Sequence, residues 1–374
     1  MGAEAPAAPL AAGERRVFWL DAVRALAVIS VTFNHALNRS VLDQISLLRQ
    51  LNPYAFLGCL LYIFSRLGVP LFLMLSGALL LGRDYTQPRI RSRFYRHNWL
   101  RLVLATVLWL GIRYWFFLAL NGELAAQGLG RTLRGFVKTL LLLNGDGLGC
   151  MWYMAMILCL YPLIPLLGVA VDRLPGRVFL VPGCIVLAVS ILLPNLNAVL
   201  KAAGLGLRLQ SGVEAGYLVP FYLLYLVGGW YLRQGALARR STAAVAAVFC
   251  LGLLGTSLFQ LWMLRDGAYL VHYADLGVLI TAAALFELLR RLARPGRRLA
   301  APIRSLALHS LGVYFVHHLV MSLASVLFQR YLPGLTGFRC FAALELLGLG
   351  GGWLLVWLTA RIPPVGRYLY LIRK

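Results

Sequence analysis

The feature that most constrains this chain is a series of apolar runs, each about 20 residues long, joined by arginine-rich links. A run of that length matches the hydrocarbon thickness of a bilayer when it is helical. Inside lipid a helix satisfies its own backbone hydrogen bonds, and the alternating pattern of a membrane β-barrel is absent here. Of the 374 residues, 60% are hydrophobic and only 13% charged. Soluble domains average about 25% charged residues, so the surface of this chain is too apolar for water alone. The expected fold class is all-α, a polytopic integral membrane protein of about ten transmembrane helices. The expected spans are 16–38, 57–82, 98–120, 151–171, 177–195, 214–233, 243–264, 271–291, 306–328 and 338–361. No internal repeat is visible, and no link is long enough for a soluble domain.

The formal net charge of +23 invites a nucleic-acid reading. The cations do not gather on one soluble face, however; they sit in alternate links between spans. Links 83–101 and 290–304, with the two ends and the shorter links near Arg173 and Arg233, hold 23 Lys and Arg. The opposite links hold 10, and Arg24, Arg66 and Arg113 fall inside spans. The positive-inside bias therefore expects both termini in the cytoplasm, an even span count and no nucleic-acid partner. The segment 1–15, rich in Ala, Pro and Gly, is expected to be a disordered cytoplasmic tail without a cleaved leader, ahead of a transmembrane domain over 16–374. The six cysteines show no metal-ligand spacing and lie mostly inside apolar runs, so neither a metal nor a disulfide framework is expected.

The first span carries groups that lipid cannot solvate. "WLDAVRALAVISVTFNHALNR", Trp19 to Arg39, contains Asp21, Arg24, Asn34 and His35. An ionisable group at the bilayer centre costs roughly 2.5–3.5 kcal/mol on insertion scales. At about 100° per residue, the eleven residues from Arg24 to His35 close three turns to within about 20°. The two therefore share a stripe, about 16 Å apart along the axis, with Asp21 one turn below Arg24. The stripe must face protein or a water-filled cavity. Two readings fit: a packing ion pair Asp21–Arg24 with an interfacial His35, or a functional cation with a titratable base towards the outer side.

Five segments resemble the acyltransferase-3 family, in the family's order and over most of the chain. "LDAVRALAVISVTFNH" has the first-span pattern of a cation, ten residues and a histidine. "SRLGVPLFLMLSGALLLG" (Ser65 to Gly82) is similar to the Val-Pro-Leu-Phe segment that ends in Ser-Gly. "RIRSRFYRHNWLRL" (Arg89 to Leu102) stands where the family has an Arg-rich cytoplasmic loop, with His97 at a place where many members carry another basic residue. "CMWYMAMILCLYPLIPLL" (Cys150 to Leu167) resembles the Trp-aromatic span ending in Pro. "SLGVYFVHHLVM" (Ser310 to Met321) resembles the late Tyr-x-x-His span. The SGNH esterase-like extension common in the family is not expected.

The resemblance implies transfer of an acyl group, by family default acetyl, from cytoplasmic acyl-CoA to a hydroxyl of a cell-surface or exported glycan or its lipid-linked precursor. The setting would be the inner, or plasma, membrane. Such transfer needs a base, a group that steadies the oxyanion and a donor holder. Neutral imidazole suits the first, so His35 is expected to be catalytic, as base or as transient acyl carrier. Arg24 would hold the donor or stabilise developing charge, oriented by Asp21. Arg66, Arg89, Arg91, Arg93, Arg96 and Arg101 form the expected acyl-CoA set, because guanidinium forks bind phosphates bidentately. The same arginines also serve as ordinary positive-inside residues. Ser76 is a possible donor to the pantetheine or thioester, or a tight Ser-Gly helix contact at a span kinked by Pro70. Tyr314 and His317 share a face and suit a supporting hydrogen bond; Glu345, in the outer third of the last span, would fix the His35 tautomer. Glu287 is expected to pair with cytoplasmic arginine. No cofactor is expected to be tightly bound; acetyl-CoA is a co-substrate. A transporter or flippase of lipid-linked saccharides is the competing reading, since it too would use intramembrane Arg and His.

Overall fold

The computed structural model describes residues 17–42, 52–123, 128–141, 148–205, 209, 221–264 and 270–372. The expected tail 1–15 and the start of the expected span 214–233 lie outside these residues. Every regular element among the described residues is helical, and no strand occurs among them. Eight helices are long and apolar enough to cross a membrane. They are α1 (Phe18–Ser40), the interrupted pair α2 (Pro53–Ser65) and α3 (Gly68–Leu80), α4 (Pro88–Leu120), α6 (Gly149–Arg173), α7 (Gly176–Ala202), α9 (Thr242–Leu264), α11 (Ala300–Tyr331) and α12 (Gly337–Thr359). Between them lie α5 (Leu129–Leu140), α8 (Tyr222–Arg233) and α10 (Leu276–Leu292).

Two other expected spans remain. Of 214–233 the described part is α8. Helix α10 starts five residues later than expected, because the Asp275 carboxylate accepts the Gly277 N–H at 2.9 Å and caps it there. The expected kink at Pro70 is also displaced. The helix breaks at Arg66–Leu67, and Pro70 sits in the first turn of α3, where a missing N–H costs nothing.

The chain divides into two compact units. One comprises Met1–Asp84 and Leu166–Ala307, the other Tyr85–Pro165 and Leu308–Lys374. In the first, α1 meets α2 through polar side chains as well as the edge-to-face pair Phe33–Phe64. Ser30 Oγ donates to the carbonyls of Phe64 and Ser65 at 2.9 and 3.1 Å, and Asn34 Nδ2 donates to Ser65 Oγ at 3.2 Å. Helices α3 and α8 cross at glycine. A Cβ on Gly77 would lie 1.7 Å from the Leu226 carbonyl oxygen, and one on Gly229 would lie 2.1 Å from that of Met74. Without hydrophobic drive between helices in lipid, such close backbone approach supplies the packing. Glu287 on α10 is fully buried and takes Arg290 at 2.7 Å through both oxygens and Arg291 Nε at 2.6 Å, the pairing expected for it.

In the second unit α4 contains a wide turn at Tyr95–Trp99 with π-type bonding. It is fastened to α6 by Tyr95 Oη to the Pro162 carbonyl (3.0 Å) and Trp99 Nε1 to the Leu158 carbonyl (2.9 Å). Helix α5, unforeseen in the sequence, is amphipathic. Phe136 packs on Tyr114 and Trp115, while Leu129, Leu133, Val137 and Leu141 are exposed. After α12 the chain makes a π-helical turn at Val365–Leu369, held by Trp109 Nε1 to the Leu369 carbonyl at 3.0 Å.

Candidate active site

The five motif segments sort between the units: the first two in the first unit, the other three in the second. Helix α1 is unbroken from Phe18 to Ser40, so the register between Arg24 and His35 is preserved. Asp21 is 2% exposed and its carboxylate lies 3.6 Å from Arg24 Nη1, whose side chain is 30% exposed. His35 is half-buried. The stripe of Arg24 and His35 lies about 80–140° around the helix from Ser30 and Asn34, which contact α2. The α2 contact and the ionisable stripe therefore lie on different faces of α1, while Val28 and Val31, beside that stripe, are buried.

Two further members of the expected set lie in the first unit. Ser76 Oγ donates to the Phe72 carbonyl of its own helix at 2.9 Å, beside the Gly77 crossing. Arg66 is buried at the α2–α3 break, among residues of the first unit.

In the second unit the basic segment opens onto a cavity of about 840 Å³. Arg89, Arg93, Arg96, His97 and Arg101 line it from α4, with Ser92, and Arg367 lines it from the C-terminal turn. A strictly α-helical α4 would carry Arg101 about 120° round from Arg89. The wide turn at Tyr95–Trp99 underwinds the helix and returns Arg101 to the same wall. Arg91, expected with this set, does not line the cavity; its Nη1 donates to the Tyr85 carbonyl at 3.2 Å. Nearby, Tyr370 hydrogen-bonds Thr359 at 2.9 Å, and burial raises its phenol above its ordinary pKa, the Thr359 bond opposing the shift. That phenol stays neutral and adds no negative charge beside the cations.

Tyr314 and His317 stand on the buried side of α11. The Tyr314 hydroxyl donates to the Cys150 carbonyl, which joins the fourth and fifth motif segments, and His317 Nδ1 lies 2.9 Å from the Val313 carbonyl. Glu345 is buried on α12 in this unit, whereas His35 belongs to the other.

A cluster that the sequence reading passed over lies here too. Arg113 Nη1 is 3.0 Å from His318 Nδ1 and 3.6 Å from Cys150 Sγ, and its guanidinium covers the Phe117 ring at 4.4 Å. Gly149, with φ of +49°, passes so close that a Cβ there would meet Arg113 Nη2 at 2.4 Å. The position of Arg113 inside an apolar run was the available signal; its partners were not.

The site residues thus comprise a half-buried histidine on the α1 stripe and a cluster of guanidinium groups around one cavity. No curated protein and no solved structure matches the chain. A family model described as an acyltransferase domain matches residues 17–359, nearly the whole chain. With its span-length apolar helices, the chain is a membrane acyltransferase and belongs to the acyltransferase-3 family.

Proposed function

We propose that the chain moves an acyl group, acetyl by family default, from cytoplasmic acyl-CoA to a hydroxyl of a cell-surface or exported glycan or its lipid-linked precursor. The observation that carries this reading is the cavity walled by Arg89, Arg93, Arg96, His97, Arg101 and Arg367. Coenzyme A presents a pyrophosphate and a ribose phosphate, and clustered guanidinium forks suit several phosphates at once. A volume of about 840 Å³ is within the range of small-molecule sites. The charge bias of the links supports a cytoplasmic cavity, cytoplasmic termini and a place in the inner, or plasma, membrane.

In the reaction His35 takes the proton of the acceptor hydroxyl, and that oxygen attacks the thioester carbonyl carbon. The carbonyl π electrons move to oxygen, and Arg24, oriented by Asp21, steadies the oxyanion. Collapse breaks the carbon–sulfur bond, and the leaving thiolate receives the proton from the His35 imidazolium. Arg113, Tyr314 and His317 support the fold of the donor-bearing unit.

The test is binding of labelled acetyl-CoA to purified protein, followed by transfer to hydroxyl acceptors. Saturable binding that free coenzyme A displaces supports the reading. Absence of donor binding by folded protein overturns it in favour of a non-catalytic use of the intramembrane charges.

A further inference from the structure

Arg66 is 9% exposed, at the break between α2 and α3. Its guanidinium donates to the Tyr62 hydroxyl and lies over two rings, 4.4 Å from the centre of Tyr62 and 5.4 Å from that of Tyr273. Among the described residues no carboxylate forms an ion pair with it, and its Nε has no hydrogen-bond partner. Three partly buried cations of this unit do have carboxylates: Arg24 has Asp21, and Arg290 and Arg291 have Glu287.

The surroundings of Arg66 are built, not loose. The non-helical backbone before α10 is strapped by four side chains. Tyr62 Oη donates to the Val271 carbonyl (3.0 Å), Gln260 Oε1 accepts the Val271 N–H (2.7 Å), Tyr225 Oη donates to the Tyr273 carbonyl (2.6 Å), and Asn195 Nδ2 donates to the Ala274 carbonyl (3.2 Å). Tyr273 is thereby set opposite Tyr62, with the guanidinium against both rings. A guanidinium stays protonated in proteins, and a buried charge is costly unless it is paired and fully hydrogen-bonded. Aromatic faces compensate only part of a charge. What would complete this arrangement is an anion able to take a bidentate hydrogen bond.

We propose that Arg66, framed by Tyr62 and Tyr273, seats an anionic group of the acceptor, a phosphate or a carboxylate. Its place along α1 argues for the acceptor rather than the donor. Ser65, next to Arg66, is hydrogen-bonded to Asn34, the neighbour of His35. Arg66 is also not among the residues that line the basic cavity of the other unit. The inference rests on the acyltransfer reading for calling the ligand an acceptor; the anion seat itself rests on Arg66 and its surroundings.

The experiment uses the full chain purified in phosphate-free maltoside detergent, as wild type, Arg66→Gln and Arg66→Lys. Farnesyl phosphate, farnesol, glucuronate and phosphatidylglycerol are added separately, and tryptophan fluorescence reads binding and the thermal midpoint. Farnesyl phosphate or glucuronate should bind wild type and raise its midpoint. Binding should weaken about tenfold or more in Arg66→Gln and less in Arg66→Lys, which keeps the charge without the fork. Farnesol should bind all three alike, and ligand-free Arg66→Gln should melt no lower than wild type. Equal anion affinity in wild type and Arg66→Gln overturns the seat. Should Arg66→Gln not fold, equal anion affinity in wild type and Arg66→Lys does so. Phosphatidylglycerol binding as tightly as the other anions overturns the acceptor assignment in favour of a bilayer lipid. Acetyl-CoA affinity should be the same in all three proteins; its loss in Arg66→Gln would return Arg66 to the donor. A wild type that binds farnesyl phosphate but no acetyl-CoA overturns the donor reading alone.

Discussion

The two units of this chain handle positive charge in opposite ways. The second gathers exposed arginines on one wall of an open cavity, where each keeps water around much of its side chain. The first places single cations among apolar helices and gives each its own surroundings: a carboxylate for Arg24, two tyrosine rings for Arg66. The difference follows from solvation. Like charges cluster at small cost where water and salt screen them, whereas a desolvated charge must be compensated individually. A clustered wall suits a polyphosphate ligand, and an isolated caged cation suits one anionic group. On the proposed reading, donor and acceptor recognition fall to different units.

The strongest attempt to break that division is His35→Ala. Loss of a general base costs about 10²–10⁴-fold in rate. His35 is half-buried and stands away from the α2 face of α1, so the variant should fold and bind acetyl-CoA normally while transfer collapses. Near-normal turnover by folded His35→Ala would remove the chemistry from the first unit. Next comes the Gly77 crossing. Gly77→Leu forces a side chain onto the Leu226 backbone and should destabilise the first unit by about 3 kcal/mol or more, seen as a lower thermal midpoint. An unchanged midpoint would mean that α3 and α8 do not meet at glycine.

Replacing Arg89, Arg93 and Arg96 together by Ala should weaken acetyl-CoA binding about 1,000-fold or more, because charge-assisted bonds contribute about 1.5–3 kcal/mol each when well formed. Unchanged affinity would reduce the wall to a topology signal. The smallest effect sharpens the outline of the cavity. Arg367→Ala should cost about tenfold in acetyl-CoA affinity and Arg91→Ala almost nothing, since Arg367 lines the cavity and Arg91 is turned to the Tyr85 carbonyl. The reverse order, read by the same binding assay, would show that the loop rather than the cavity holds the donor.

Legibility differed between elements for physical reasons. Apolar runs of span length read directly as helices, because a bilayer filters for length and hydropathy and little else. The stripe of Asp21, Arg24 and His35 was readable because an α-helix has one fixed angle per residue. The same arithmetic fails across α4, where the wide turn at Tyr95–Trp99 resets the phase and decides which arginines share a wall. Proline marked an interruption near residue 70, but a proline fits the first turn of a helix, so the actual break falls at Arg66–Leu67. Helix α5 escaped notice because its amphipathic pattern is shorter than a span.

The sequence by itself determined the all-helical class, the family, and the spacing of charged groups along each helix. All of these depend on local periodicity and composition, which neighbouring residues settle among themselves. Only the tertiary structure decided which charges meet groups from distant parts of the chain: Arg367 beside the α4 arginines, Arg113 against His318 and Arg66 between tyrosines 211 positions apart. A charge's surroundings are set by residues brought close in space from distant parts of the chain. No local pattern records that proximity.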